Sequence, residues 1–440
     1  MTEDLNFRQP SSVFRVLVFP ACNEPGLEII HSLIKSNKVE VVGGSSQDHQ
    51  YDPARAILRD YHDISSLQSP GFAADFRAFL TRQAIDLVFP TTDALVAEFS
   101  SWTSPTTRFV TPGEHCARIL LSKSETYRHL EGVVPVPEVY PSAPDGRPAF
   151  AKPDIGSGSR GGRILQSVDD YYNARGEGLL VTEYLPGEEC TVDCVSDLAG
   201  RLLVANPRVR GKVGRGIALG AKSFVSAQIQ EWLSAASSKL HLRGPWFAQF
   251  KRDREGNYKL LEINARVAGS MGLTRYSGVN IPLMCVFMFL GYNVQVPQLQ
   301  SGVLVNRSLA SWVEMHPYDA VIWDLDDTLL RKDGKPDPIA VAHLIDGHNR
   351  GIRQFLLSKN RDVDGVLRRF CIPRLFSDVR QSENKFETLR QMIADHHLEL
   401  SKLVLVNDSY SELFQFQAAF PEIRIVTPAD IDCLGWETLA

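Results

Sequence analysis

The sequence lacks a net positive charge, a cysteine framework and a long apolar run. Its 440 residues carry 47 Lys and Arg against 52 Asp and Glu, a formal net charge of −5, whereas nucleic-acid binding requires a basic surface. Only Cys190 and Cys194 of the seven cysteines lie close together, and no second pair completes a zinc site. The expectation is therefore reduced thiols in the cytoplasm and no nucleic-acid partner.

The sequence also shows no pattern typical of a targeting segment or a membrane-spanning segment. The opening MTEDLNFRQPSS is acidic where a signal peptide would be basic. The most apolar stretch, IPLMCVFMFLGY at 281–292, is too short to span a bilayer and predicts a buried helix. We therefore expect a soluble, cytoplasmic protein with no membrane partner.

The order of strands and helices predicts three domains in a chain of ordinary globular composition. Over residues 1–112, apolar strands such as FRVLVFPA and VEVVGGS alternate with helices, which predicts a doubly wound α/β domain. Over 113–317, short strands of alternating polarity predict an α+β domain built on antiparallel sheets. The alternation of strands and helices returns over 318–440 and predicts a small Rossmann-like α/β domain.

Two lysines and a run of glycines in the middle domain indicate phosphate binding. Lys123 begins a helix in LSKSETYRHL, and Lys152 ends a strand just before DIGSGSRGG. Gly156 and Gly158 in that run leave backbone N–H groups free to close over phosphates. The sequence contains no Walker loop, so the site is not that of a P-loop enzyme.

A nucleotide hinge and a metal site are predicted further along the same domain. VTEYLPGEECTVD at 181–193 places acidic residues on both sides of an apolar pair and a glycine turn, an arrangement suited to binding adenine and ribose. Gln249, Glu262 and Asn264 lie on two neighbouring predicted strands. Glu262 and Asn264 are two residues apart and so face the same side of the sheet, where their oxygens suit Mg²⁺.

Taken together, these features resemble the ATP-grasp superfamily, in particular carboxylate–amine ligases of the carbamoyl-phosphate-synthase type, over residues 13–316. The resemblance implies ATP and Mg²⁺ as cofactors, with Mn²⁺ as an alternative, small-molecule carboxylate and amine substrates, and a homodimer. By position it assigns Lys123, Lys152, Gly156 and Gly158 to the phosphates, Glu183, Tyr184 and Leu185 to adenine, Glu189 to ribose, Gln249, Glu262 and Asn264 to Mg²⁺, and Arg266 to the acyl phosphate.

The basic segment PRVRGKVGRG at 207–216 leaves two interpretations open. Its cations are Arg208, Arg210, Lys212 and Arg215. They clamp a substrate carboxylate or form a lid, or they form a solvated basic loop.

A second phosphate site is predicted in the last domain. VIWDLDDTLL at 321–330 is a strand that runs into a turn carrying three carboxylates. With the later segments FLLSKN, SENKFETL and LVLVNDSYSE, it resembles the haloacid dehalogenase (HAD) superfamily over 318–440, without a large cap domain. The resemblance implies Asp324 as nucleophile, Asp326 as general acid and base, Ser358 and Lys385 as phosphoryl contacts, and Asp324, Asp326 and Asp408 as Mg²⁺ ligands, with Glu412 through water.

The expected function is therefore bifunctional. The ATP-grasp part would join a carboxylate to an amine through an acyl phosphate, while the HAD part would dephosphorylate a related metabolite. One alternative is an ATP-grasp kinase paired with its reversing phosphatase, which would leave a stable phosphoester as product. Another is a nucleotide-sensing scaffold with a residual HAD domain, which would bind ATP without substrate-stimulated ADP release.

Overall fold

The computed structural model describes residues 13–46, 52–156, 161–211, 213–214, 217–307 and 317–435. These residues form two compact units, which divide after residue 308. The predicted boundary between 112 and 113 falls inside the first unit, and the three-domain division stays a prediction. Gly158, Lys212 and Arg215 lie outside the described residues. Within the described ranges, no helix has both the length and the apolar character of a membrane span.

The first unit begins with a five-stranded parallel sheet in the order β3-β2-β1-β4-β5. Val16 and Val18 of its central strand pack on one face, whereas Leu17 and Phe19 pack on the other. Because both faces are buried, the strand is apolar throughout, as parallel sheets require. The elements are β1 (Phe14–Phe19), α1 (Glu24–Leu33), β2 (Val39–Ser45), α2 (Pro53–Ile57), β3 (Tyr61–Asp63), α3 (Phe72–Arg82), β4 (Leu87–Pro90), α4 (Asp93–Ser100), β5 (Arg108–Phe109), α5 (Glu114–Leu121) and α6 (Lys123–Leu130).

The other described sheets of the first unit are antiparallel, and helices lie between their strands in sequence. Three strands pair in the order β7-β6-β8, two strands, β11 and β12, pair with each other, and six pair in the order β15-β14-β9-β10-β13-β16. The elements are β6 (Ala149–Lys152), β7 (Arg163–Leu165), α7 (Val168–Gly176), β8 (Leu180–Glu183), β9 (Glu189–Ser196), β10 (Leu202–Arg210), β11 (Val213–Gly214), β12 (Ile217–Ala218), β13 (Gly220–Ser223), α8 (Ala227–Leu240), β14 (Gly244–Arg252), β15 (Tyr258–Asn264), α9 (Gly272–Tyr276), α10 (Ile281–Phe289) and β16 (Leu304–Asn306).

The six-stranded sheet has one apolar and one polar face along its central strands. Val192, Ala248 and Ile263 are buried with Ile229 and Leu233 of helix α8. The alternate positions on the same strands carry Thr191, Gln249 and Glu262, which face one another across β9, β14 and β15. Because side chains alternate along a strand, packing α8 on one face leaves the other face free for polar groups.

One prediction from the sequence is confirmed in this unit. The apolar stretch beginning at Ile281 forms helix α10, and most of its residues are buried. Cys190 and Cys194 are buried free thiols that line the apolar face of the sheet.

The second unit is built on a five-stranded parallel sheet in the order β19-β18-β17-β20-β21. Trp323 and Leu356 pack on one face of the sheet, and Ile322 and Phe355 pack on the other. The elements are β17 (Ala320–Trp323), α11 (Pro338–Asn349), β18 (Arg353–Ser358), α12 (Val363–Arg369), β19 (Asp378–Gln381), α13 (Lys385–Asp395), β20 (Leu403–Val406), α14 (Tyr410–Ala419) and β21 (Arg424–Val426), with short 3-10 turns at Pro373–Leu375, Leu400–Lys402 and Pro428–Leu434.

Candidate functional site

A cavity of about 230 Å³ lies on the polar face of the six-stranded sheet, below the three-stranded sheet. It is called the first cavity here. It is lined by nine of the residues that the sequence assigned to the nucleotide or the metal: Lys123, Lys152, Gly156, Glu183, Tyr184, Leu185, Glu189, Gln249 and Glu262. The structure therefore brings most of the predicted nucleotide-binding residues together, although they are spread over 140 positions of the chain.

Two lysines place positive charge in the first cavity. Lys152 is buried, and its Nζ donates a 2.6 Å hydrogen bond to the hydroxyl of Tyr127, which donates in turn to the carbonyl of Leu261 at 2.5 Å. Burial and the neighbouring Lys123 cation lower the pKa of Lys152 to about 8. An anion bound between the two ammonium groups would relieve their mutual repulsion, and phosphates are anions of that kind.

Lys123 is held by the loop that follows strand β6. The carboxylate of Asp154 accepts hydrogen bonds from the hydroxyls of Ser122 and Ser124, at 2.7 and 2.9 Å. Lys123 Nζ donates to the carbonyl oxygen of Gly156 at 2.8 Å and lies 4.0 Å from Glu262 Oε2. Helix α6 and the predicted glycine loop therefore meet at the lysine.

The hinge (residues 183–185) lies at the end of β8, on the wall of the first cavity, and leads towards β9. The Glu183 carboxylate accepts a 3.0 Å hydrogen bond from the Glu138 N–H and lies 3.2 Å from Lys259 Nζ. Gly187 packs so closely that an added Cβ would lie 2.6 Å from Arg252 Cβ. A side chain at this position would push the hinge away from the sheet, which explains the glycine in YLPGEE.

The floor of the first cavity is a set of cross-strand neighbours. Glu189 of β9 pairs with Lys251 of β14 in register and forms an ion pair with Arg210 of β10. Arg210 and Lys251 both line the cavity. Lys251 was not predicted, yet it lies two residues after Gln249 on one strand, so the alternation of side chains would have identified it.

The predicted metal ligands fit a hard cation. Gln249 and Glu262 lie opposite each other on β14 and β15, and burial raises the pKa of Glu262. One carboxylate with amide oxygens suits Mg²⁺, which takes its remaining ligands from water and substrate phosphates. Among the described residues, no three His, Cys, Asp or Glu side chains form a group that would hold a metal alone.

A second cavity of about 210 Å³ adjoins the first. It shares Lys123, Gly156 and Glu262 with the first cavity, and Asn264 also lines it. The Nδ2 of Asn264 is buried and has no hydrogen-bond partner among the described residues. The polar face of strand β15 therefore connects the two cavities.

Arg266 is bound by an acidic residue from the beginning of the unit. Its Nε donates to Asp93 Oδ1 at 2.8 Å, and its Nη2 donates to Asp93 Oδ2 at 3.3 Å. Asp93 begins helix α4 and also lines the second cavity. The sequence offered no indication of this partner, because 173 positions separate the two residues.

The basic segment at 207–216 divides into residues with different surroundings. Arg208 is fully buried, and its Nε and Nη2 bind the carboxylate of Asp193 at 3.1 and 2.7 Å. Neither open interpretation fits Arg208, because it is part of the interior of the sheet. Arg210 faces the first cavity instead, where its partner is Glu189.

In the second unit, a lysine and two carboxylates meet at the carboxyl end of the parallel sheet. Lys385 Nζ lies 2.7 Å from Asp324 Oδ2 and 3.0 Å from Glu412 Oε2. Burial raises the pKa of Asp324 even though Lys385 opposes the shift. Burial acts on Glu412 in the same direction, but hydrogen bonds from Lys359, Lys385 and Asn407 outweigh it and lower the pKa of Glu412.

The other predicted residues of this site lie around that group. Asp326 is exposed and accepts hydrogen bonds from Asn360 Nδ2 at 2.9 and 3.2 Å. Ser358 ends strand β18, and its hydroxyl accepts from the Asn360 N–H at 3.0 Å. Asp408 is exposed, whereas the preceding Asn407 is buried and donates to Glu412 at 3.0 Å. Asn360 and Asn407 were not singled out in the sequence.

Comparisons with known proteins agree on the fold of the first unit. Residues 175–309 match a family model described as ATP-grasp in the biosynthetic pathway with Ter operon. No curated protein matches the chain by sequence.

Three solved structures illustrate the likeness. A biotin carboxylase complex from Campylobacter jejuni is 16% identical, with a TM-score of 0.52 over 65% of this chain and 72% of that one. The biotin carboxylase domain of 2-oxoglutarate carboxylase from Hydrogenobacter thermophilus, a dimer with MgADP, ADP and bicarbonate, is 15% identical, with a TM-score of 0.55 over 67% and 74%. N5-carboxyaminoimidazole synthetase from Staphylococcus aureus with ADP is 13% identical, with a TM-score of 0.53 over 64% and 78%.

At these identities the structures establish a common fold and not a common substrate. The family model matches the segment that contains the hinge, Glu189, Gln249 and Glu262. The chain therefore contains an ATP-grasp domain.

Proposed function

We propose that the first unit is an ATP- and Mg²⁺-dependent ligase that joins a small carboxylate to an amine. The observation that carries the proposal is the pair Lys123 and Lys152 in one cavity with Glu262 and Gln249. Phosphoryl transfer from ATP requires cations that bind the phosphates and oxygen ligands that bind the metal. The structural neighbours solved with ADP, from H. thermophilus and S. aureus, support nucleotide binding in this fold.

The proposed reaction has two steps. An oxygen of the substrate carboxylate attacks the γ-phosphorus of ATP, a P–O bond breaks, and ADP leaves. The resulting acyl phosphate is then attacked by the amine nitrogen, the C–O bond to phosphate breaks, and phosphate leaves as the nitrogen loses a proton. The first step brings two anions together, so positive charge at the point of contact lowers its barrier.

The residues that the sequence assigned to the nucleotide and the metal each have a proposed role. Lys123 and Lys152 bind the phosphates with Gly156, the hinge binds adenine, and Glu189 binds the ribose hydroxyls. Mg²⁺, with Mn²⁺ as an alternative, would be held by Gln249, Glu262 and Asn264 and would neutralise phosphate charge.

Arg266 is proposed to face the acyl phosphate. Three of its five N–H groups donate hydrogen bonds, two to Asp93 and one to the carbonyl of Val267. The two that are left would bind the acyl phosphate while Asp93 holds the guanidinium in place. A homodimer is proposed from the dimeric H. thermophilus domain.

Glu262→Gln tests the ligase proposal. The amide keeps the shape of the side chain but removes the charge that binds Mg²⁺, so we expect substrate-stimulated ADP release to fall by at least about a hundredfold. Phosphorus NMR with ATP, Mg²⁺ and a pool of amino acids and small carboxylates measures the products, and calorimetry measures how strongly Mg²⁺ tightens ADP binding.

The matched control is Glu255→Gln, which makes the same change at an exposed residue between β14 and β15. Equal rates and equal Mg²⁺ effects in the two variants would rule out the proposed metal site. A persistent phosphoester in place of an amide would favour the kinase, and ADP binding with no turnover would favour the nucleotide sensor.

Nucleotide affinity is expected to fall as the pH rises above about 8. The pKa of Lys152 is lowered to about 8 from its ordinary value of 10.5, so the cation that binds phosphate is lost above that pH. The fall approaches tenfold per pH unit. Between pH 8 and 10.5 only the unfolded chain keeps this proton, so the contribution of Lys152 makes the fold more stable as the pH rises.

Two variants check this expectation by ADP titration from pH 7 to 10. Lys152→Arg keeps its charge and should lose the pH dependence, since arginine stays protonated. Lys251→Arg, in the same cavity, should keep it. The same pH profile in wild type and Lys152→Arg would show that another group titrates.

A second activity, removal of phosphate, is proposed for the second unit. Asp324 would attack the phosphorus of a phosphoester, and Asp326 would protonate the leaving oxygen and then activate water. The contact between Lys385 and Asp324 carries this proposal, because a phosphorylated carboxylate needs a cation beside it. Ser358 would bind the transferring phosphoryl group. Asp324, Asp326 and Asp408, which do not form a metal-holding group by themselves, would bind Mg²⁺ together with the phosphoryl oxygens of the substrate, with Glu412 through water.

A further inference from the structure

Part of the wall of the second cavity is aliphatic. Its apolar side chains come from helix α4, helix α5 and the loop after β6, and are those of Ala94, Leu120, Leu121 and Ile155. These side chains have no hydrogen-bond donors or acceptors. Ligand pockets combine an apolar wall with a few polar groups that orient the ligand, and this cavity has that composition.

The second cavity shares part of its polar lining with the first. Lys123, Gly156 and Glu262 line both cavities, so a carboxylate bound beside them lies next to the proposed position of the phosphates. The buried Nδ2 of Asn264 needs an acceptor, because an unmet buried donor is costly. A carboxylate oxygen would supply one.

The charges that line the second cavity disfavour a second anionic group. Among the described lining residues Lys123 is the one cation. Of the two lining carboxylates, Asp93 is paired with Arg266, and Glu262 lies 4.0 Å from Lys123. One carboxylate can pair with Lys123, whereas a further carboxylate in the same space would face acidic side chains or aliphatic ones.

We propose that the second cavity binds the carboxylate to be activated, and that this substrate is an aliphatic monocarboxylic acid. The inference rests on the proposed ligase function and adds the class of its substrate. Lys123 and Asn264 bind the carboxylate, and the alkyl chain lies against the aliphatic wall.

A series of straight-chain acids tests the inference on the full chain with Mg·ADP bound. Acetate, butanoate and hexanoate are titrated by calorimetry or ligand-observed NMR. Each added methylene should lower the Kd about fourfold until the cavity is full. Succinate, which has the carbon skeleton of butanoate and a second carboxylate, should bind more weakly than butanoate.

Two variants connect the series to the cavity. Ala94→Leu, at an exposed residue of α4, places a larger side chain in the second cavity. The gain in affinity with each added methylene should therefore stop at a shorter acid than in the wild type. Ala97→Leu, on the same helix but outside the lining residues, should reproduce the wild-type series.

Three outcomes would overturn the inference. They are equal affinity along the series, succinate binding as tightly as butanoate, and no acid binding at all although Mg·ADP binds; each leaves the ligase proposal standing. Failure of Mg·ADP itself to bind would overturn the ligase proposal and the inference together.

Discussion

Arg208→Ala is expected to destabilise the first unit by about 3–5 kcal/mol, because it leaves a buried carboxylate without its cation. Arg208 and Asp193 are both 0% exposed. Asp193 would keep only the 2.8 Å hydrogen bond from the Thr274 hydroxyl, which does not replace a bidentate ion pair. Urea unfolding followed by tryptophan fluorescence measures the loss.

A matched control separates this effect from the loss of any arginine. Arg201 lies 3.1 Å from Asp197, but its side chain is 79% exposed, so Arg201→Ala should cost less than about 1 kcal/mol. The double variant Arg208→Met with Asp193→Leu removes both charges and should recover much of the stability. If Arg208→Ala and Arg201→Ala unfold alike, the buried pair does not contribute as argued.

The alternation of side chains made much of the first cavity predictable from sequence. Glu262 and Asn264 lie two apart on β15, so the strand pattern places both on one face. The hinge was predictable in the same way, because acidic residues and a glycine interrupt two apolar strands. Predictions of this kind depend on local spacing, which the sequence displays directly.

Contacts between distant segments could not be predicted in that way. Arg266 meets Asp93 because β15 ends against the first turn of α4, and nothing near either residue indicates the other. Arg208 looked like part of a basic loop, but β10 pairs with β9 so that Arg208 lies beside Asp193. Burial and pairing are properties of the folded sheet, and one sequence does not display them.

In the second unit, too, part of the site could be predicted from local spacing and part could not. Asp324 and Ser358 follow from strands that end in polar residues, since the carboxyl ends of parallel strands meet at one edge. The side chains that support them come from loops: Asn360 donates to Asp326, and Asn407 donates to Glu412. Loop conformation decides which neighbour of a motif turns inward, and so Asn407 is buried whereas Asp408 is exposed.

Asp324→Asn is expected to lower phosphate release by the second unit about ten-thousandfold or more, because the amide cannot attack phosphorus. The variant should stay folded. Burial raises the pKa of Asp324, so the folded chain accepts a neutral side chain there, and Lys385 keeps Glu412 as a partner at 3.0 Å. Hydrolysis of an aryl phosphate with Mg²⁺ present measures the rate, and thermal unfolding checks the fold.

Asp319→Asn supplies the control, since this residue is 52% exposed and pairs with Arg353 only at 3.8 Å. The Asp319→Asn variant should hydrolyse the aryl phosphate at the wild-type rate. The same variants then connect the two proposed activities. If Asp324→Asn supplied with ATP accumulates a phosphorylated compound that the wild type clears, the second unit acts on a product of the first. If both proteins give identical phosphorus spectra, the ligase acts alone, and an Asp324→Asn protein that still releases phosphate would remove Asp324 from the chemistry.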